Sequence, residues 1–134
     1  MKQTSFASLE YAGKKRVTRR EKFLGEMQRV VPWPRLLGLI EPHYPKSGRV
    51  GRPPIGLERM LRMYFVQQWY ALSDEALEDA LYDSHALREF AGIDLAREQV
   101  PDATTLLKFR RLLEQHELGR AIFGQINQHL SEQR

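Results

Sequence analysis

The sequence predicts an all-α fold of about seven helices, with a helix-turn-helix-like core and a flexible basic N-terminal arm. Three observations carry that prediction. Apolar residues recur at helical spacing from Phe23 to Leu130, and no segment alternates apolar and polar residues as a half-buried strand would. Capping residues (Thr18, Ser73, Ser84, Asp102) stand just before the periodic runs, and Pro or Gly just after several of them. The 134 residues are 42% hydrophobic and 28% charged, the balance of a soluble globular chain that can bury a core without disulfides or metals.

In chain order, residues 1–17 show no periodicity and form the arm, which includes Lys14-Lys15-Arg16. Thr18-Arg19-Arg20-Glu21 has the form of a capping box. Phe23, Met27, Val30 and Val31 then predict a helix over about 19–30. Pro32-Trp33-Pro34 breaks it and starts a short second helix, because proline is tolerated in a first turn. Leu36, Leu37 and Ile40 give that helix its apolar face, and Pro42 and Pro45 end it. Residues 18–45 are thus a small N-terminal helical unit, and 46–56 a basic loop dense in proline and glycine. Residues 57–134 form the helical core. Leu57, Met60, Leu61, Tyr64, Phe65 and Gln68 predict a helix to about Tyr70. Ser73 caps the next, with acids in its first turn and Leu77, Ala80 and Leu81 inward. Ser84 caps a short helix carrying Leu87 and Phe90, and Gly92 stops it. After a connector, Asp102 caps a helix to about His116 that buries Leu106, Phe109, Leu112 and Leu113. Gly119 lies near the junction with the last helix, whose stripe is Leu118, Ile122, Ile126 and Leu130.

Much chemistry is excluded. With no cysteine there is no disulfide framework, thiolate zinc site or cysteine nucleophile. No apolar stretch approaches the ~20 residues of a membrane span, and the first residues lack the apolar core of a signal peptide. A cytoplasmic location is the expectation. His43, His85, His116 and His129 are scattered without ligand spacing, so no metal site is expected. Asp74, Glu75, Glu78, Asp79 and Asp83 read as a solvated acidic face. No glycine-rich loop follows a strand, and no nucleophile lies beside a base. Trp33 and Trp69 sit within apolar patterns and read as packing residues.

Binding is better supported. The net charge is +4, but it is unevenly spread. Residues 1–62 hold 14 Lys and Arg against 5 Asp and Glu, a balance of +9; residues 63–134 hold 7 against 12, a balance of −5. A basic half suggests a polyanion partner, though a solvated surface gives the same count. Lys14, Lys15, Arg16, Arg19, Arg20 and Lys22 suit phosphate contacts, whose affinity falls steeply with salt. Lys46, Arg49 and Arg52 lie in the proline-stiffened loop. An arginine of Gly51-Arg52-Pro53 can enter a narrow minor groove, or the tripeptide is only a turn. Thr104, Lys108, Arg111 and Gln115 lie at i, i+4, i+7 and i+11, on one helical face opposite the apolar one. Lys and Arg can address guanine edges and Gln adenine; the alternative is an ordinary polar face. The helix after Ser73 holds the usual reading position of a helix-turn-helix pair, but five carboxylates and no cation would repel phosphate.

Several strings, in order, resemble one family. They include Val31-Pro32-Trp33, Ile40-Glu41-Pro42-His43-Tyr44-Pro45, Gly51-Arg52-Pro53-Pro54, Gln67-Gln68-Trp69-Tyr70-Ala71-Leu72-Ser73-Asp74, Glu78-Asp79-Ala80-Leu81-Tyr82-Asp83, Pro101-Asp102-Ala103-Thr104-Thr105 and Phe109-Arg110-Arg111-Leu112-Leu113-Glu114-Gln115-His116. Together they resemble the N-terminal domain of InsH-type bacterial insertion-sequence transposases, over nearly the whole chain. The resemblance implies a module that binds element ends and precedes an RNase H-like domain with an Asp-Asp-Glu triad. That triad uses divalent metal, usually magnesium, for strand cutting and joining. The chain stops before any triad residue, so no catalytic residue and no cofactor are expected within it.

The leading expectation is therefore a non-enzymatic DNA-binding module for double-stranded terminal inverted repeats. A second expectation is an interaction module. The acidic 74–83 helix and the Leu118–Leu130 stripe would then pair with a second copy or with a full-length transposase, which a free domain could inhibit.

Overall fold

The computed structural model describes residues 16–45 and 55–133. Among them it is all-helical, with seven α-helices and no strand. They are α1 (Arg19–Val30), α2 (Trp33–Ile40), α3 (Leu57–Trp69), α4 (Asp74–Asp83), α5 (His85–Ala91), α6 (Ala103–Gln115) and α7 (Leu118–Glu132), and a short 3-10 helix, Glu41–His43, follows α2. The basic loop at 46–54 and most of the N-terminal arm lie outside the described residues.

The caps predicted from sequence set the boundaries. Thr18 Oγ1 accepts the Glu21 N–H at 3.2 Å while Glu21 Oε1 accepts the Thr18 N–H at 2.9 Å, which satisfies two donors a helix start leaves over. Ser73 and Ser84 accept from the N–H groups of Ala76 and Leu87. Gly92 ends α5 in the left-handed region at φ 80°. Ala71, after α3, has φ 52° and Glu117, before α7, has φ 54°. These two turns use the left-handed region without a glycine, and sequence spacing gave no sign of them. Pro42 does not stop its helix outright; it sits in the first turn of the 3-10 helix, where its missing N–H has no partner to lose.

Helix α3 departs most from its predicted pattern. Its periodicity marks one apolar face, yet Arg62, Met63, Val66 and Gln67 are buried as well as Met60, Leu61 and Phe65. The reason is tertiary: α2, α4, α5 and α6 all pack on α3. A helix enclosed on most sides keeps little solvent face, and here only Glu58, Arg59 and Gln68 are exposed. Leu24, Trp33, Leu36 and Ile40 from the first two helices share one hydrophobic cluster with Leu77, Leu81, Leu87, Leu113 and Ile122. Helix α1 packs on α5, and α2 on α7.

Arg62 is the buried cation that this arrangement requires. It is 8% exposed, donates from Nη1 to the Phe90 carbonyl at 3.1 Å and to Gln28 Oε1, and meets Glu58 at 3.2 Å. Its guanidinium lies 4.3 Å over the Trp33 ring and 5.0 Å over the Phe90 ring. One side chain thus joins α1, α2, α3 and α5, and the planar, weakly hydrated guanidinium is what makes it bearable inside. Trp33 is buried, its indole N–H donating to the Gln28 carbonyl at 3.0 Å. Trp69 stacks on Phe65 at 5.3 Å. Both tryptophans are packing residues, as their patterns predict.

Candidate nucleic-acid interface

The outward face of α6 is built by its own sequence. Asp102 Oδ1 accepts the Thr105 N–H at 2.8 Å and starts the helix. Leu106, Phe109 and Leu113 are buried. The residues at the opposite phase, Thr104, Lys108, Arg111 and Gln115, are all exposed. The spacing predicted from sequence therefore places four polar side chains side by side. Among the described residues, neither Lys108 nor Arg111 makes an ion pair.

What fixes the roll of α6 is the acidic helix α4. Arg110 Nη2 donates to Asp74 Oδ2 at 2.9 Å, and Gln67 Nε2 donates to Asp74 Oδ1 at 2.8 Å. Arg110 also reaches Glu114 at 3.2 Å. At the start of α6 the Ala103 N–H donates to Glu78 Oε1 at 2.8 Å. Two carboxylates of α4 thus hold α6 at its first turn and at its middle. The Asp74 side chain is only 12% exposed. The hydrogen bond from Arg110 holds its carboxyl below the usual range, against the opposing effect of burial. The same bond raises the Arg110 pKa. With Arg110 tied inward, Lys108 and Arg111 are left to solvent. This corrects the reading of 74–83 as a solvated face. It holds for Glu75, Asp79 and Asp83, which are exposed, but not for Asp74 and Glu78. Nothing local in the sequence marks those two, because their partners lie 36 and 25 residues away.

Six other arginines fall into two sets. Arg35 pairs with Glu132 at 2.9 Å and Arg59 with Glu98 at 2.7 Å. Arg88 donates to the Leu81 and Tyr82 carbonyls and closes the end of α4. These cations are engaged within the fold. Arg16, Arg19 and Arg20 are exposed at the start of α1, and Arg20 lies 5.0 Å over the Tyr70 ring. Helix α1 packs chiefly on α5, whereas α6 packs on α3, α4 and α7. The α1 cations and the α6 face are therefore separate groups. Between them lies the turn from α3 to α4, touched by Arg20 at Tyr70 and by Arg110 at Asp74. Helices α3, α4 and α6 also pack on one another, with α6 the outermost in sequence. The predicted contacts Lys14, Lys15, Lys46, Arg49 and Arg52 lie outside the described residues. The Tyr44 hydroxyl donates to the Ile55 carbonyl, so the two residues that flank the basic loop are held together. Burial pushes the Tyr44 hydroxyl pKa up.

The histidines are not all scattered. His43 and His116 stack with ring centroids 3.9 Å apart, because the 3-10 helix lies beside the end of α6. Their separation of 73 positions in the chain gives no spacing signal. Among the described residues no group of three or more His, Asp or Glu is placed to hold a metal ion. No helix there is long and apolar enough to cross a membrane.

A family model described as "Transposase domain (DUF772)" matches residues 12–112, well over half of the chain. The match takes in α1 to α5 and α6 as far as Leu112, and so includes Thr104, Lys108 and Arg111. No solved structure matches the chain.

Proposed function

This chain belongs to the transposase-domain family DUF772, and on that premise we propose that it binds double-stranded DNA at the terminal inverted repeats of an insertion sequence. The narrower assignment, to the N-terminal domain of InsH-type transposases, is part of the proposal. The observation that carries it is the outward face of α6: Thr104, Lys108, Arg111 and Gln115 exposed together, with neither cation in an ion pair among the described residues. A face with these groups can hydrogen-bond base edges in a major groove. In this reading α3 and α4 are the helix-turn-helix pair and α6, packed on both, is the reader. The exposed carboxylates of α4 keep that helix away from phosphate. Arg16, Arg19 and Arg20, with Lys14, Lys15, Lys46, Arg49 and Arg52 of the arm and loop, supply phosphate contacts that position the chain without reading sequence.

The reading assigns binding, not catalysis, to this chain, and no metal or other cofactor. Any magnesium-dependent strand chemistry belongs to a separate catalytic domain. The test is fluorescence anisotropy with an element-end duplex and a scrambled duplex over a salt series. The element-end duplex should bind more tightly, with log affinity falling linearly with log salt. Equal affinity for both duplexes, or affinity insensitive to salt, would refute the proposal. Magnesium-dependent nicking by the purified chain would refute the non-catalytic assignment.

A further inference from the structure

Helix α7 carries an apolar surface that its own fold does not cover. Phe123 is 53% exposed and Leu130 42%, and with the half-buried Ile126 they lie at i, i+3 and i+7 on one side of the helix. Residues 121–131 contain no Asp, Glu, Lys or Arg. In a chain that is 28% charged, so long an uncharged stretch on a partly exposed helix matches the charge depletion of interface cores.

One turn before Phe123 a groove of about 300 Å³ opens between α3, α6 and α7, lined by Tyr64, Leu113, Glu114, Glu117, Gly119 and Arg120. Gly119 lines it without a side chain, and a Cβ there would make only an ordinary contact, 3.8 Å, with the Tyr64 hydroxyl. The rim carries opposite charges. Glu114 is engaged by Arg110. Glu117 and Arg120, three residues apart and both exposed, pair neither with each other nor with any other described residue.

We propose that this face docks a second copy of the chain. A two-fold interface requires one patch that is complementary to itself. Here the projecting ring of Phe123 and a groove lie side by side on α7, with an unused cation and an unused anion on the groove's rim. Phe123 of each copy enters the groove of the other, and Arg120 of each copy pairs with Glu117 of the partner subunit. The inference makes no use of DNA binding.

The test is sedimentation equilibrium of the full chain from micromolar to several hundred micromolar. Wild type should form dimers as concentration rises. Arg120→Glu and Glu117→Arg should each weaken self-association about tenfold or more, because each sets like charges across the interface. An equimolar mixture of the two variants should regain association, since only the mixed pair restores opposite charges at both ends. Phe123→Ser should also weaken association; its ring is exposed in the single copy, so circular dichroism should show unchanged helix content. A wild type that stays monomeric throughout would overturn the proposal. So would a mixture that associates no better than either variant alone, or self-association that all three substitutions leave intact.

Discussion

Helices α3 and α6 are each 13 residues long and both carry arginines, yet they use them in opposite ways. On α3, Arg59 and Arg62 are both committed to partners within the fold. On α6 only Arg110 is; Lys108 and Arg111 face water. Burial on most sides leaves α3 only a narrow exposed strip, Glu58, Arg59 and Gln68, and the charge it carries inside, Arg62, must be satisfied internally. Helix α6 packs on α3, α4 and α7 through one face, and its opposite face, which is exposed, costs the fold little to vary. A cation's partners, not its position in the charge count, decide whether it holds the fold or remains available to phosphate and bases.

Breaking the α3 side of this comparison should have the largest effect. Arg62→Ala removes a hydrogen bond to the Phe90 carbonyl, the contact with Glu58 and two cation–π contacts, and should cost about 2–4 kcal/mol of stability. Arg62→Lys should recover little of it, because an ammonium cannot lie flat on Trp33 and Phe90 while reaching three acceptors. Urea unfolding measures both. If Arg62→Ala unfolds like wild type, the buried cation is not the joint described above.

The clamp between α4 and α6 should rank next. Asp74→Asn should cost about 1–2 kcal/mol, measured in the same way. The effect carries a pH signature. The folded-state pKa of Asp74 lies below its unfolded value, so its stabilising contribution is complete above the unfolded pKa of about 3.9 and is lost as pH falls through the lower folded value. Wild type should therefore lose this increment in acid, and Asp74→Asn should lack it. Parallel stability curves for the two proteins between neutral and acid pH would show that Arg110 does not hold this carboxylate.

A smaller change of opposite sign is expected at the turn between the two regions. Ala71 has φ 52°, and the Leu72 N–H donates back to the Gln67 carbonyl at 3.0 Å, a helix ending that glycine suits better. Ala71→Gly should raise stability by about 0.5–1 kcal/mol, seen as a higher urea midpoint at unchanged slope. Lys108→Ala and Arg111→Ala should move stability least, within about 0.5 kcal/mol, as exposed positions that form no ion pair among the described residues do.

The helices were legible because their signals are local. Thr18, Ser73, Ser84 and Asp102 cap within three residues of themselves, and the apolar spacing runs along single helices. The outward face of α6 was legible for the same reason, since i, i+4, i+7 and i+11 depend only on helical pitch. The burial of Arg62, the partners of Asp74 and Glu78, and the stack of His43 on His116 were not. Each depends on residues brought together from different helices. The sequence shows a helix's phase, but not how many neighbours enclose it, and so the apolar face of α3 that begins at Leu57 leaves out Met63 and Val66, which are buried. Phe123 is the reverse case. It lies just off the stripe of Leu118, Ile122, Ile126 and Leu130, and its exposure follows from which side of α7 the helices α2 and α6 cover.

The most direct test compares DNA binding by wild type, Arg59→Ala and Lys108→Ala, using element-end and scrambled duplexes at one salt concentration. Arg59 is engaged by Glu98 within the fold, while Lys108 stands on the proposed reading face. Lys108→Ala should lose about tenfold or more of the preference for the element end, as expected for one base contact of roughly 1–3 kcal/mol, while Arg59→Ala keeps the preference of wild type. Equal loss in both variants, or an undiminished preference in Lys108→Ala, would contradict the assignment of recognition to α6.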